Sequence, residues 1–340
     1  MSDLLTLTPE GLYCPEAGVH IDPVRPVEKA VITHGHADHA RSGHGAVLAT
    51  RQTLDIMAIR YGENFCGAAQ AIHYGETLKL RGVDISLHPA GHVLGSAQIL
   101  LSSAGRRTVV SGDYKRQTDP TCAPFEVVPC DTFVTEATFG LPVFRHPPAQ
   151  QEIAKLLLSL EVFPEQTHLV GAYALGKAQR VLAELRATGY SKTIYMHGAL
   201  ERLTAYYQSQ GIDLGDVEPV GQRGKELAGE IVLCPPGQLS DRWSRRFGDP
   251  VAAMASGWMR VRARARQRGA ELPLILSDHA DWDDLCRTIL ETGAEQIWVT
   301  HGAEEALVHW CELNGRNARP LNMIGYDDGE DADVARAAQG

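Results

Sequence analysis

Hydrophobic and polar positions alternate in short runs from the start of the chain to about Gly140. Apolar and β-branched residues recur every second position, and Gly or charged residues separate the runs. This period is typical of β-strands, and one longer amphipathic stretch that ends near Tyr61 favours a helix. The predicted strands are Leu4–Leu7, Gly11–Cys14, Val19–Asp22, Ala30–Thr33, Val47–Thr50, Ala71–Tyr74, Val83–Leu87, Ala97–Leu101, Thr108–Val110 and Thr132–Thr135.

Between Gly140 and about residue 270 the pattern changes to strands that alternate with helices. Predicted strands His168–Val170, Thr193–Met196 and Ile231–Leu233 are followed by predicted helices Arg180–Ala187, Ala199–Gln210 and Leu239–Arg246. Repeated strand–loop–helix units of this kind predict a small parallel α/β sheet.

Strand patterns return at Pro273–Leu276 and Gln296–Thr300. This indicates that the region of alternating strands and helices is an insertion into the strand-rich region. We therefore predict an α/β protein in which residues 1–150 and 271–326 form one domain and residues 151–270 form an inserted domain. The acidic residues of the tail, 327–340, predict a solvated and flexible end.

Polar residues crowd together directly after the predicted strand that ends at Thr33. His34, His36, Asp38 and His39 lie within six positions, and the residues between them are small. On an extended segment His34 and His36 point to the same side, so both imidazoles can reach one metal ion. The turn that follows can direct the other two side chains toward a second ion.

Two later strand ends carry single residues of the same kind. His92 lies between glycines in a predicted loop, and Asp113 follows the strand Thr108–Val110. Taken alone, each is explained as well by a hydrogen-bonded histidine or by an aspartate in a turn. A carboxylate at a strand end can also bridge two cations through its two oxygens, and a neighbouring histidine can complete the first site.

The sequence His-x-His-x-Asp-His at positions 34–39 resembles the signature of the metallo-β-lactamase superfamily. His92 and Asp113 follow in the order of the third and fourth motifs of that superfamily. The resemblance implies an αββα sandwich. It also offers a second explanation for Asp22, otherwise a turn residue before Pro23: in this superfamily an aspartate at the matching place braces the metal loop.

Three further motifs are similar to the β-CASP branch of the superfamily, a group of metal-dependent nucleases with an inserted α/β domain. They contain Glu136 in Thr-Glu-Ala-Thr-Phe-Gly, His279 in Ser-Asp-His-Ala-Asp and His301 in Val-Thr-His-Gly-Ala. The segment Gly176–Gln179 resembles the Gly-Lys-x-Gln stretch of the inserted domain. The chain is most similar to bacterial ligase-associated DNA exonucleases, whereas a histidine at the position of His301 is the pattern of RNA-processing members.

The resemblance implies a site with two divalent ions, with zinc favoured and manganese as the alternative. His34, His36 and His92 would bind the first ion, Asp38, His39 and His301 the second, and Asp113 would bridge them. Water activated between the ions would attack a phosphodiester. The predicted catalytic residues are Asp38, Asp113, Glu136 and His279. Of these, the pair Glu136 and His279 would protonate the leaving oxygen.

Substrate contacts are predicted from positive charge. Lys177 and Gln179 begin a predicted helix where a phosphate could bind, although a solvated lysine explains Lys177 as well. The segment Trp258–Arg268 carries five arginines at alternate positions and no acid, and Arg260 and Arg262 are its first candidates for substrate binding. If extended, the segment presents all five on one face; if helical, they surround it.

Composition limits the remaining possibilities. The 340 residues carry a formal charge of −10, which argues against broad electrostatic binding to nucleic acid and leaves that task to local patches. The seven cysteines are dispersed without a Cys-x-x-Cys pair, as expected in a reducing cytosol. No basic leader with an apolar run and no stretch of about eighteen apolar residues occurs, so we expect a cytoplasmic protein without a membrane span.

Three alternatives to a DNA exonuclease of DNA repair stay open from the sequence. The same machinery could cleave RNA, as His301 suggests. Another hydrolase of the superfamily would need neither the insertion nor the pair Glu136 and His279, and a non-catalytic nucleic-acid-binding scaffold would be expected to have lost ligands. A DNA ligase or a helicase as partner is implied by the resemblance alone.

Overall fold

The computed structural model describes residues 3–323 and divides them into two units. The first runs to Arg145 and resumes at His279, and the second is His146–Asp278. We propose that they are the outer domain and the inserted domain expected from the sequence. The predicted acidic tail, residues 327–340, lies outside the described residues.

The first sheet of the first unit contains six strands in chain order, with a helix before the last. The first three are antiparallel, and the others add in parallel. Its elements are β1 (Thr6–Thr8), β2 (Gly11–Cys14), β3 (Val19–Ile21), β4 (Lys29–Val31), β5 (His44–Ala49), α1 (Arg51–Tyr61) and β6 (Cys66–Ala71).

A second sheet begins with an antiparallel meander and ends, in this part of the chain, with a parallel strand. These strands are β7 (Thr77–Leu80), β8 (Val83–Pro89), β9 (Ala97–Ser103), β10 (Arg106–Val110) and β11 (Thr132–Ala137). The predicted strand Ala71–Tyr74 is wrong, because the chain leaves the first sheet at Ala71 and only Tyr74 makes a bridge, to Leu87.

The second unit is built on one parallel six-stranded sheet, as the alternating pattern predicts. The strand order is β14-β13-β15-β12-β16-β17. Its elements are α2 (Ala149–Val162), β12 (His168–Gly171), α3 (Lys177–Ala187), β13 (Ile194–Met196), α4 (Glu201–Ser209), β14 (Val217–Pro219), β15 (Ile231–Cys234), β16 (Val251–Ala255), α5 (Arg262–Gln267) and β17 (Leu272–Leu274).

The predicted α-helix Leu239–Arg246 is also wrong. Two 3₁₀ turns, Pro236–Leu239 and Arg242–Phe247, occupy this region. Asp241 separates them because its side chain accepts a hydrogen bond from the Arg242 amide at 2.6 Å, an alternative to helical pairing that short polar side chains offer.

The chain then completes the second sheet of the first unit in the order β19-β18-β11-β10-β9-β8-β7. The added elements are α6 (Trp282–Glu291), β18 (Gln296–Gly302), α7 (Glu304–Leu313) and β19 (Asn317–Pro320).

Three apolar clusters make this unit a four-layer sandwich. Ile21 and Val31 of the first sheet pack in one cluster with Ile99 and Val134 of the second. The outer face of the first sheet packs against α1, and that of the second against α6 and α7. Burial of apolar surface on both faces of both sheets explains the arrangement, and it confirms the predicted αββα fold class.

Among residues 3–323, no helix is long and apolar enough to cross a bilayer.

Candidate metal centre

The histidine-rich segment of the first unit is a loop and not the end of a strand. β4 ends at Val31, the Ile32 amide still donates to Leu48 at 3.0 Å, and a turn then forms in which the Ala40 amide donates to the His36 carbonyl at 2.7 Å. This turn separates the first two histidines from Asp38 and His39 and thereby creates two groups of ligand-type residues.

The first group joins the loop to the residues predicted at two later strand ends. The Nε2 atoms of His34 and His92 lie 3.1 and 3.0 Å from Nδ1 of His36. Oδ2 of Asp113 lies 3.4 Å from His34 Nε2 and 3.7 Å from His92 Nε2. All four side chains are buried. A tetrahedral ion with nitrogen ligands at about 2.0–2.1 Å holds neighbouring ligand atoms about 3.4 Å apart, so this spacing suits one metal ion.

The second group shares Asp113 with the first. His39 Nε2 lies 3.4 Å from Asp113 Oδ2 and 3.5 Å from Asp38 Oδ2. The His301 ring centroid lies 5.1 Å from that of His39. Oδ1 of Asp38 is buried and has no hydrogen-bond partner among the described residues. A buried carboxylate oxygen without a donor is costly in an apolar interior, and a cation beside it would remove that cost.

A β-bulge places His301 in this group. Thr300 pairs with Glu136 and Gly302 with Ala137, so His301 is the extra residue of β18. Its φ of 55° is unusual for a residue with a side chain, and Gly302 follows with φ 108°. The sequence motif identifies His301 as a candidate, but the extra residue in the strand is visible only in the structure.

Replacing Gly302 with alanine should disrupt this bulge. A Cβ atom there would lie 2.2 Å from the Ala137 carbonyl oxygen, in addition to the strained φ. We expect the free energy of unfolding to fall by about 2–4 kcal/mol, with weaker metal retention. Gly293→Ala is the matched control, because φ is 72° there and nothing lies within 4 Å. Thermal unfolding of both variants is the measurement, and equal melting temperatures would contradict the prediction.

Burial and neighbouring charges set the protonation of the cluster. Burial, together with the nearby His39, lowers the pKa of His34 to about 3 and that of His301 to about 3, so both imidazoles are neutral, as metal ligands must be. Burial disfavours a charged His39, but Asp113 and Asp38 raise its pKa well above the usual value. Burial likewise opposes the charge of Asp113, yet His39 and His279 hold its pKa well below the usual range.

The Asp22 carboxylate fixes a candidate ligand in each of the two groups. Its Oδ1 accepts from the Thr33 amide at 2.8 Å, and its Oδ2 accepts from the Thr33 hydroxyl at 2.6 Å and from His39 Nδ1 at 2.8 Å. The Thr33 hydroxyl gives its hydrogen to Asp22, so at 2.9 Å it accepts from His34 Nδ1. Both histidines therefore present Nε2 to the centre. Thr33 was missed by sequence reasoning, since at a strand end it looks like any β-branched residue.

Glu136 and His279 form a buried pair beside the cluster. Glu136 Oε2 accepts from His279 Nδ1 at 2.9 Å, and Oε1 accepts from the Tyr114 amide at 2.7 Å. The ring of His279 lies 4.7 Å from that of His92, centroid to centroid. Since Nδ1 is engaged, Nε2 is the nitrogen available for exchange of a proton with another molecule.

The structure places Lys177 and Gln179 inside the second unit, both fully buried. Lys177 Nζ pairs with Asp278 at 3.0 Å and donates to the Leu276 carbonyl at 2.7 Å. Gln179 accepts from the Gly176 amide at 2.9 Å and donates to Thr204 at 3.0 Å. A substrate contact by either side chain would require these interactions to open.

The arginines after Trp258 are in a different situation. Arg260 ends a 3₁₀ turn, Gly257–Arg260, and Arg262 begins α5. Both are exposed, and so are the other three arginines of the segment. The segment is thus a 3₁₀ turn followed by a short helix and not one extended strand.

Three known proteins are similar to the chain over different lengths. It is 30% identical to ribonuclease TTHA0252 of Thermus thermophilus over 390 aligned positions, which cover 91% of this chain and 88% of that protein. A probable DNA ligase of Opitutus terrae is 28% identical over 303 residues, 86% of this chain and 28% of the ligase. Endoribonuclease ysh1 of Aspergillus fumigatus is 34% identical over 143 residues, 41% of this chain and 16% of that protein. The chain thus spans less than a third of the last two proteins.

A solved structure supports the fold alone. A crystal structure of a protein of unknown function from Enterococcus faecalis superposes with a TM-score of 0.58 and 9% identity, covering 88% of this chain and 80% of that one. No protein-family model matches the chain.

The loops that follow the strands of the αββα sandwich bring buried imidazoles and carboxylates together. This arrangement is typical of a metal-binding α/β protein. The similarity to the Thermus ribonuclease extends over nearly all of both chains. The chain belongs to the β-CASP branch of the metallo-β-lactamase superfamily.

Proposed function

We propose that the protein is a metal-dependent nuclease that hydrolyses phosphodiester bonds. The observation that supports this most directly is the position of the pair Glu136 and His279. It lies beside a buried His/Asp cluster that fits divalent metal, so a candidate metal site and a candidate proton donor are neighbours. All the proposed ligands are present, which disfavours a non-catalytic scaffold.

The residues would hold two ions, with zinc favoured over manganese because histidine nitrogen predominates. His34, His36 and His92 would bind one, Asp38, His39 and His301 the other, and Asp113 both. When bound, such ions supply nucleophilic water at neutral pH and offset the negative charge of a phosphodiester. Asp22 and Thr33 would hold the imidazoles in the tautomer that binds metal.

His279 would serve the leaving group. As the new oxygen–phosphorus bond forms and the old one breaks, the departing oxygen takes a proton from His279 Nε2. Glu136 favours the protonated ring through Nδ1 and keeps its orientation. Glu136 is itself fixed by the Tyr114 amide, so the pair is oriented before substrate binds.

We propose DNA as the substrate, removed from an end in the course of DNA repair. The support is the probable DNA ligase whose similar segment covers 86% of this chain, which also suggests a ligase as functional partner. RNA is the second candidate. It is favoured by His301 in the centre and by similarity to a ribonuclease over nearly the whole chain.

In the deciding experiment, protein of known metal content is incubated with end-labelled single-stranded DNA and, separately, with RNA of the same sequence. Asp38→Ala is the inactive control. Ladder-like shortening of DNA with RNA spared is the expected result, and loss of label from one end also gives the polarity. Preferential cutting of RNA would transfer the proposal to RNA processing. No metal and no cutting of either polymer would overturn it.

A further inference from the structure

The second unit carries a charge that differs in sign from that of the remaining chain. His146–Asp278 contains 16 of the 32 lysines and arginines but 14 of the 42 acidic residues, so its formal charge is +2. The other residues together carry −12. A polyanion that approaches this acidic protein would therefore meet the least electrostatic repulsion at the second unit.

Within that unit the positive charge is concentrated in one short segment, which we call the arginine ridge and define as Gly257–Ala270. It contains five arginines, no lysine and no acid. All five are exposed, and Met259 and Ala265 anchor the segment in an apolar cluster that also includes Tyr173. The arginine ridge is thus packed against the apolar cluster on one side and exposes its guanidinium groups on the other.

The ridge also carries a planar stack. The guanidinium carbon of Arg264 lies 3.6 Å from the centre of the Trp258 ring, and Trp258 is itself half-buried in the same apolar cluster. Guanidinium and indole planes are surfaces on which unpaired bases stack, and arginine forks suit phosphate oxygens. Phosphate-binding groups and a stacking surface therefore occur within a few residues of each other.

We propose that the arginine ridge binds single-stranded polynucleotide, with Arg262 and Arg266 on phosphates and the Arg264–Trp258 stack under a base. Arg262 and Arg266 are four positions apart in α5, so they share a side of the helix. The proposal rests on the proposed nuclease function and extends it to the form of the substrate. The ridge holds the strand without base specificity and contributes to affinity, while the chemistry belongs to the first unit.

The test measures binding of metal-loaded protein to an uncleavable phosphorothioate oligonucleotide of about 20 nucleotides, as DNA, RNA and blunt duplex, at several salt concentrations. For Arg262→Gln with Arg266→Gln, we expect affinity at low salt to fall about 10- to 100-fold and the slope of log K against log salt to lose about 1.4. The matched control is Arg51→Gln with Arg287→Gln, two exposed arginines of the first unit with the same total charge change. It should bind as the unmodified protein does.

A second variant tests the stack separately from charge. Arg264→Lys keeps the positive charge but removes the planar group, so single-strand affinity should fall with an unchanged salt slope, and duplex should bind more weakly than single strands throughout. Unchanged affinity and slope in the double glutamine variant would overturn the proposal. Equal binding of duplex and single strand with no effect of Arg264→Lys would overturn its single-strand part.

Cleavage is measured in parallel so that the two proposals can fail independently. The double glutamine variant should show a raised KM on long strands, and the ratio of its activity on long strands to its activity on bis(p-nitrophenyl) phosphate should fall relative to that of the control variant. If the double glutamine variant loses binding but the unmodified protein cleaves nothing, the nuclease proposal is refuted and the proposal for the arginine ridge is kept. If the unmodified protein cleaves strands but the variant binds them equally well, the proposal for the arginine ridge is refuted and the nuclease proposal is kept.

Discussion

Replacing Asp113 with alanine should give a folded protein that no longer retains divalent metal. Asp113 Oδ2 lies within 3.4 Å of both His34 Nε2 and His39 Nε2, so it is the carboxylate that both groups of ligands share. Structural metal sites are worth about 10–16 kcal/mol over four ligands, so loss of one shared ligand should weaken affinity about 10²- to 10³-fold or more at each ion. Nuclease activity should disappear with the metal.

The measurement is metal content per chain after dialysis against a weak chelator, with circular dichroism to establish that the variant is folded. Asp84→Ala is the matched control, because this aspartate is partly exposed and makes a surface ion pair with Lys79. It should retain metal and activity. Full metal content in Asp113→Ala would show that Asp113 is not a ligand, and full content without activity would leave it a role in chemistry alone.

Replacing His279 with alanine should have the opposite profile, with metal retained and turnover lost. His279 is held by Glu136 at 2.9 Å and is proposed as the proton donor, a contribution typically worth about 10²- to 10⁴-fold in kcat. Glu136→Gln should give a smaller loss, because it leaves the ring in place and removes the charge that favours its protonated form.

A leaving group that needs no proton separates this role from a structural one. On a thymidine p-nitrophenyl phosphate substrate, from which nitrophenolate departs unprotonated, His279→Ala should be nearly as fast as the unmodified protein, whereas on an oligonucleotide it should be slow. His309→Ala, a change at an exposed histidine of α7, is the control. Equal losses on both substrates would refute proton donation by His279.

That His34, His36, His92 and Asp113 lie together was predictable from the sequence, because these residues occur in motifs near strand ends. Spacing alone indicated that His34 and His36 serve one ion, and the family resemblance added the residues that are far apart in the chain. Thr33 and the Tyr114 amide were not predictable, since their contribution is a hydrogen bond set by tertiary packing.

The fold was predictable in class and less so in detail. Alternation identified the sandwich and the parallel sheet because each strand buries a continuous apolar face. The prediction of an α-helix at Leu239–Arg246 was wrong. The composition there allows a helix, but the Asp241 side chain accepts a hydrogen bond from the backbone amide of Arg242. Nor could the alternation show that Lys177 is buried beside Asp278, which is distant in sequence, and the contact of Lys177 with substrate stays a prediction.

The insertion of the second unit has a consequence for the order in which the protein can fold. Glu136 and His279 are 143 residues apart, and β11 pairs with β18 over a longer interval, since Thr132 is opposite Gln296. The entropy of closing so long a loop must be overcome before these contacts contribute, and contacts of long range slow folding. During synthesis the loop with His34 and His36 emerges early, and the proton donor and His301 arrive only after the whole second unit. Before the second unit is made, the nascent chain should therefore hold all the proposed ligands of the first ion but only part of those of the second.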